Sequence, residues 1–361
     1  MITYTGIGRY IQNLLTHLPM IDQDNSFSAV TGPKGAAIPP CSNLYVRPLL
    51  RDIPVYALIR EQFGLPGEMN RFNPDVFHYP SFNMPLNNPK PAVVTIHDLV
   101  YYLAPGACSR LRHWYARVVF PLVARRAMRV ITGSEHTKRD IVNHLGVDPA
   151  KITVIYHGVS SLYRPVADVA AVDAVKRRYG LEGDYILYVG THHPRKNLKR
   201  LIEAFAMIKP KGVRLAITGA MEERRLDLYE TPERFGVQER VVFTGPVREE
   251  DLPALYSGAT IFVIPSLYEG FGLTPLEAMA CGAPVISSNL TSLPEVVGDA
   301  AMTFNPLDVE ALAGCMQTLL NDGALRASLR EKGIARARLF NWKRTAEQTL
   351  GVYCDALSGR P

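Results

Sequence analysis

Cysteine is scarce in this chain: five residues (Cys41, Cys108, Cys281, Cys315 and Cys354) are spread over 361 positions. Their number is odd, their spacing is wide and no Cys-x-x-Cys pair occurs. That pattern excludes a disulfide framework and a thiolate zinc site, and it points to a reducing compartment. No apolar run approaches the ~20 residues needed to cross a bilayer, and no secretory leader is visible. The expected location is therefore cytoplasmic, with any membrane contact peripheral and at the inner face. No His, Asp and Glu cluster has ligand spacing, so no metal is expected. Asp22-Gln-Asp24 has the form of an Asp-x-Asp ligand pair, but it follows a helix pattern instead of a strand end and reads as a turn. The net charge of +6 comes from scattered Lys and Arg. With no aromatic-basic platform and no reading helix, it suits an anionic small molecule or membrane surface, and no nucleic-acid partner is expected. Oligomeric state leaves no trace in the sequence.

What is present is ordinary globular composition, 47% hydrophobic and 20% charged, in a chain too long for one comfortable core. Short apolar runs at 27–31, 75–79, 92–97, 129–132 and 152–156 read as strands. After a stretch containing Pro and Ala near 164–172 the pattern restarts, with strands expected at 185–190, 213–218, 241–244, 261–264 and 284–287. Helical patterns lie between them, as at 197–208, where Leu198, Leu201, Ile202 and Phe205 follow the i, i+3, i+4, i+7 rule. Such alternation predicts two α/β, Rossmann-like, doubly wound domains facing each other across a cleft. The boundaries expected are 1–165 for the first domain and 166–341 for the second, with a terminal helix at 342–361 packing back on the first. A stretch at 110–129, carrying Arg110, Arg112, Arg117, Arg125, Arg126 and Arg129, reads as a covering helix with a solvated basic face, although basic amphipathic segments also lie on anionic membranes.

Ligands of open α/β sheets bind outside the carboxyl ends of the strands, so the loops there carry the functional argument. The richest is Glu269-Gly-Phe-Gly-Leu-Thr-Pro-Leu-Glu277. Gly270 and Gly272 allow a tight turn between the apolar strand ending at Ile264 and a helix of small residues. Backbone N–H groups and the helix N-terminus make such a turn a seat for an anion. Glu269 precedes it, and Glu277 lies one helical turn beyond. A carboxylate accepts two hydrogen bonds from a vicinal diol, so the pair suits sugar and ribose hydroxyls on either side of a diphosphate. The plainer reading has Glu277 complementing the first helical turn and Glu269 solvated. Arg195 and Lys196, in Gly190-Thr-His-His-Pro-Arg-Lys-Asn197, are unfavourable before a helix unless an anion is present. His97, at the end of Thr-Ile-His97-Asp98, points from a strand end toward the cleft, where Asp98 is placed to orient its ring.

Glu269-x7-Glu277, with Ala278-Met-Ala-Cys-Gly282 and Pro284-Val-Ile286 after it, resembles the donor-site signature of the group-1 family of retaining GT-B glycosyltransferases. The resemblance runs from Gly6-Ile-Gly-Arg-Tyr10 to the Trp342 helix. It implies that Glu269 binds hydroxyls of the transferred sugar, Glu277 binds the ribose, and Phe271, Gly272 and Leu273 offer backbone amides. By the same resemblance Lys196 and Arg195 neutralise the diphosphate, with Arg195 in place of an arginine that relatives carry where this chain has Thr191. His97 lies near the reacting centre, and the amides of Gly6 and Gly8 face the diphosphate and acceptor. The segment ending at Val247 lies under the nucleobase, and Ser134 and Lys138 match a segment at the cleft. Relatives carry a strand before the Gly6 loop where this chain has five residues, so the start is expected upstream, or else the first domain is weakened. The implied activity is transfer of a hexose, mannose from GDP-mannose in the members most similar, to a glycan or lipid-linked glycan, with no cofactor beyond the donor. An epimerase or phosphorylase of the same architecture and an inactive nucleotide-sugar-binding protein remain open alternatives.

Overall fold

The computed structural model describes residues 6–31, 41–48, 71, 73–82, 84–88, 91–104, 108–208, 212–220 and 226–359. The chain divides into two compact units, residues 1–158 with 341–361, and residues 159–340. All five cysteines are unpaired.

In the first unit, helix α1 (Gly6–Ile21) leads into a parallel pair, β1 (Phe27–Thr31) and β2 (Leu44–Pro48). A separate four-stranded parallel sheet has the order β3 (Phe77–Tyr79), β4 (Ala92–Ile96), β5 (Arg129–Thr132), β6 (Ile152–Val154). Strand β2 was absent from the pattern read from the sequence. Tyr45, Val46 and Arg47 are all exposed, so no buried apolar run marks it. Helix α2 spans Arg110–Arg126, opened by Ser109, whose hydroxyl accepts from the Arg112 amide at 3.4 Å. It stops short of the expected 129. Ala127 leaves the helix, and Arg129 is a buried residue of β5, the strand expected at 129–132, so it does not belong to the basic helical face as well. The Met1–Thr5 segment lies outside the described residues.

The second unit holds a six-stranded, fully parallel sheet in the order β12-β11-β10-β7-β8-β9, where β7 is Asp184–Val189, β8 Val213–Thr218, β9 Val241–Gly245, β10 Ile261–Ile264, β11 Val285–Ser288 and β12 Ala301–Phe304. All four residues of β10 are buried, as expected for a strand covered on both faces. Strand β12 was also missed: it is an edge strand with one buried residue in four and carries no strong apolar signal. Helix α3 (Leu198–Met207) turns Leu201, Ile202 and Phe205 inward with no exposure. At about 1.5–3 kcal/mol for each buried side chain, these anchors hold the loop before the helix firmly. Helix α4 (Leu273–Ala280) follows β10. Helix α5 (Trp342–Ser358) belongs to the first unit and packs on α1.

Candidate active site

Chain order in the second sheet reverses at β7. β8 and β9 extend to one side of it, and β10, β11 and β12 extend to the other. A crevice opens at such a switch point, outside the carboxyl ends of the two strands that flank it. The loops after β7 and β10 meet there, and the Leu267 amide donates to the Arg195 carbonyl at 2.8 Å. On the first loop Pro194–Lys196 forms a 3-10 turn, and Asn197 takes a left-handed conformation (φ 61°) before α3. Asn is among the few residues that adopt this conformation readily. Its Nδ2 donates to the Pro306 carbonyl at 2.7 Å, which fixes the turn.

That turn aims both cations at one carboxylate. Arg195 Nη1 lies 2.9 Å from Glu269 Oε2 and also donates to the Tyr268 carbonyl at 2.7 Å. Lys196 Nζ forms a short ion pair with Glu269 Oε1, which also accepts from Ser266 Oγ at 2.7 Å. Burial alone would raise the Glu269 carboxyl. Lys196 and Arg195, with hydrogen bonds from Lys196 and Ser266, reverse this and bring it down to about 2. Glu269 is thus a carboxylate near neutral pH, an acceptor with no proton to give. The sequence reading had placed the cations on a diphosphate and Glu269 on sugar hydroxyls as separate features. In the folded chain they are one cluster.

Besides Ser266, two hydroxyls hold the Glu269 turn. Thr291 Oγ1 accepts from the Glu269 amide at 3.1 Å, and Ser292 Oγ donates to the carbonyls of Glu269 (2.9 Å) and Phe271 (2.7 Å). Thr291 sits at φ 60°, a genuine outlier for a β-branched side chain. Neither Thr291 nor Ser292 nor Ser266 was singled out from the sequence. Gly270 lies within this turn, and Phe271 turns its ring into the core beside Phe340. Gly272 caps α4 at φ 118°, where a Cβ would come within 2.9 Å of Leu293 Cδ2. The first turn of α4, beginning at Leu273, therefore has no side-chain cap. Glu277 is buried in that helix and accepts from the Tyr256 hydroxyl at 3.2 Å. Val247 is half-buried on the loop after β9, two strands away from β7.

The remaining candidates belong to the first unit. Gly6 and Gly8 lie in the first turn of α1, Gly6 exposed and Gly8 buried. From that helix Tyr10 begins a buried relay: Tyr10 Oη to Thr95 Oγ1 (3.0 Å), Thr95 Oγ1 to His78 Nε2 (2.7 Å), and His78 Nδ1 to Tyr353 Oη on α5 (2.7 Å). His97 stands edge-on to Tyr10 (4.9 Å between ring centroids) and 5.7 Å from His157, which stacks on Trp342. His97 Nε2 lies 2.9 Å from the Pro80 carbonyl. A carbonyl only accepts, so Nε2 carries the proton and Nδ1 is the acceptor of the neutral ring. This corrects the expectation for Asp98. Its Oδ1 accepts from the Val100 amide at 3.0 Å, and Pro80, not Asp98, selects the tautomer. Ser134 is a helix cap whose Oγ accepts from the Thr137 amide at 3.1 Å, and Lys138 is half-buried on the same helix. Asp22 Oδ1 accepts from the amides of Asp24 (3.0 Å) and Asn25 (3.1 Å), a local turn. Among the described residues, no group of three or more His, Cys, Asp or Glu is arranged to hold a metal ion.

The histidines make the first unit acid-sensitive. Burial, followed by the neighbouring His97, lowers His78 to about 3, and the same causes in the same order push His157 well down. Burial lowers His97 as well, against the Pro80 carbonyl and Asp98, which raise it. An unfolded histidine titrates near 6.5, so below that pH the unfolded chain binds protons that the fold refuses. Stability is therefore lost as pH falls from about 6.5 toward 3, on the order of 1 kcal/mol for His78 alone one pH unit below 6.5. The thermal midpoint of this unit should drop between about pH 7 and 5, well before Glu269 protonates. A flat profile across that range would contradict the histidine assignment.

Solved structures of low sequence identity share this architecture. Sucrose-phosphate synthase from Thermosynechococcus elongatus superposes with a TM-score of 0.79 at 23% identity, over 98% of this chain and 94% of that one. Anabaena Alr3699/HepE, solved with UDP and glucose, gives 0.77 at 19% identity, over 98% and 97%. The fold is GT-B. Residues 174–336 match the family described as Glycosyl transferases group 1, and residues 4–161 match the one described as Glycosyltransferase Family 4. O-antigen chain mannosyltransferase B of Escherichia coli is 33% identical over 282 residues, 77% of this chain and 74% of that protein. The serotype-specific mannosyltransferase WbdA of Escherichia coli is 32% identical over 273 residues, 72% of this chain but only 33% of WbdA, so this chain spans about a third of that protein's length. The chain belongs to the group 1 glycosyltransferases.

Proposed function

We propose that this protein transfers a mannosyl residue from GDP-mannose to a hydroxyl of a glycan or lipid-linked glycan, with retention of anomeric configuration and without a metal or other cofactor. The observation that carries the reading is the Arg195–Lys196–Glu269 cluster at the switch point of the second sheet. Breaking the bond from C1 to the departing phosphate oxygen leaves charge on a diphosphate, and a preorganised pair of cations lowers that cost. Glu269, held as a carboxylate, orients sugar hydroxyls and serves as no general acid. That disfavours a hydrolase built on paired carboxylates, one of which must be protonated. The acceptor hydroxyl attacks from the face on which the diphosphate departs: the bond from C1 to the acceptor oxygen forms as the bond to the phosphate oxygen breaks, and the hydroxyl proton passes to that departing oxygen. The mannosyltransferase names of the similar Escherichia coli proteins support the choice of sugar.

A thermal-shift screen of nucleotide sugars, followed by product analysis with and without acceptor, tests this. A donor at a hundredfold its Kd stabilises by about 2.7 kcal/mol, equivalent to roughly 5–10 °C for a domain of this size. GDP-mannose should give the largest shift, and transfer should require acceptor. A larger shift with UDP-glucose would reassign the donor, and conversion of the sugar without acceptor would replace transfer with epimerisation.

A further inference from the structure

Helix α2 has two apolar faces, and among the described residues only one of them is packed into the core. Ala116, Phe120, Val123 and Ala124 are buried against the sheet. On the other side Leu111 (73% exposed), Trp114 (64%), Val118 (43%) and Leu122 (47%) form a continuous stripe at spacings of three and four residues. Single exposed apolar residues are common, whereas an aligned stripe with an indole near one end is not. All five arginines are exposed, as expected of a solvated basic face, and the apolar stripe lies among them. All the charge is of one sign. The 17 residues Arg-Leu-Arg-His-Trp-Tyr-Ala-Arg-Val-Val-Phe-Pro-Leu-Val-Ala-Arg-Arg contain five arginines and no Asp or Glu. Tertiary contacts hold three of the arginines at the borders. Arg112 lies 4.5 Å over the Tyr101 ring, Arg117 lies 4.6 Å over Tyr102, and Arg125 Nε donates to the Leu145 carbonyl at 2.8 Å.

We propose that this face docks flat on an anionic phospholipid surface, with Leu111, Trp114, Val118 and Leu122 entering the headgroup boundary and the arginines meeting lipid phosphates. At about 25 Å the helix is long enough to lie in the interface and, with five charges, cannot span it. Charge complementarity selects this occupant. A second copy of the chain meeting the same face about a two-fold axis would set one arginine-rich helix against another. An anionic bilayer accepts both the stripe and its borders. The inference stands independently of the donor and acceptor assigned above.

The chain has two tryptophans, and Trp342 is buried, so a change in emission on binding reports Trp114. Equimolar phosphatidylglycerol–phosphatidylcholine vesicles should sediment with the full chain and shift its emission to the blue, while pure phosphatidylcholine vesicles should do neither. Raising salt from ~0.05 to ~0.5 M should weaken binding, because surface charges are screened. Leu111→Ser with Trp114→Ser should lose binding at least tenfold with an unchanged thermal midpoint, since both residues are exposed. Arg110→Ser with Arg126→Ser should keep the tryptophan reporter and lose about twenty-five-fold, at roughly fivefold per arginine. The proposal is overturned if anionic vesicles fail to bind the chain, or if the variants bind them as well as the parent does. It is equally overturned if the blue shift appears with rising protein concentration in the absence of lipid, together with a dimer mass by light scattering.

Discussion

Glu269→Ala is expected to lower glycosyl transfer at least tenfold while leaving the affinity for free nucleoside diphosphate undiminished or improved. On the proposed function, Glu269 and the donor's diphosphate compete for the same two cations. In the resting chain Glu269 holds both Arg195 and Lys196, at side-chain exposures of 24% and 11%. A donor that engages these cations must first release them from the carboxylate, which then turns to the sugar. Alanine removes the competitor along with the sugar contact, so binding of the leaving group and turnover move apart. The variant should also melt lower, because two poorly solvated cations lose their counter-charge, a loss of about 2–4 kcal/mol for a largely buried pair. Inorganic pyrophosphate should restore more of that loss in the variant than it adds to the parent. Lys196→Ala is the complementary measurement. It should cost transfer about a hundredfold, the scale for removing a preorganised stabiliser of developing negative charge, and weaken the diphosphate with it. Equal loss of nucleotide affinity and activity in Glu269→Ala would show that Glu269 holds the nucleotide and would sink the competition argument.

The second large effect is structural and lies beside the same loop. Gly219 follows β8 directly at φ 137°, and a Cβ there would stand 1.9 Å from the Gly190 carbonyl oxygen, on the backbone that leads from β7 into the cationic loop. No side-chain rotation relieves a clash with a carbonyl, so the ends of β7 and β8 must separate. Gly219→Ala should cost about 3–5 kcal/mol, the range reserved for backbone strain combined with steric overlap. For a unit of this size that is a fall of roughly 10 °C in thermal midpoint. Gly236→Ala is the control: its φ is 66°, but nothing lies within 4 Å of the added carbon, so only about 1 kcal/mol of backbone strain is expected. Similar melting of the two variants would show that the close approach of Gly190 and Gly219 contributes nothing.

Much of the second unit was legible in the chain because its strands are buried on both faces. Ile261-Phe-Val-Ile264 is continuously apolar for that reason, whereas the edge strands β2 and β12 bury little and left no comparable mark. The Glu269–Glu277 turn was readable from its glycines and its position between a strand and a helix. Thr291 was not, since nothing local distinguishes it from any surface threonine. Its left-handed backbone and its bond to the Glu269 amide exist only because residues 22 positions apart are brought together.

Periodicity and local chemistry, carried by neighbours in the chain, determined on their own the two parallel α/β series, the glycine turn between β10 and α4 and the basic loop of this glycosyltransferase. The pairing of Arg195 and Lys196 with Glu269 spans 74 and 73 residues and was decided by the strand order that sets β7 beside β10. The tautomer of His97 was decided by the Pro80 carbonyl, 17 residues away. The sequence showed that α2 is basic and apolar, and only the packing of Phe120 and Val123 inward left Leu111 and Trp114 outside. Sequence spacing constrains which face a residue takes, but which face meets the core, and which charge meets which partner, is set by contacts between segments far apart in the chain.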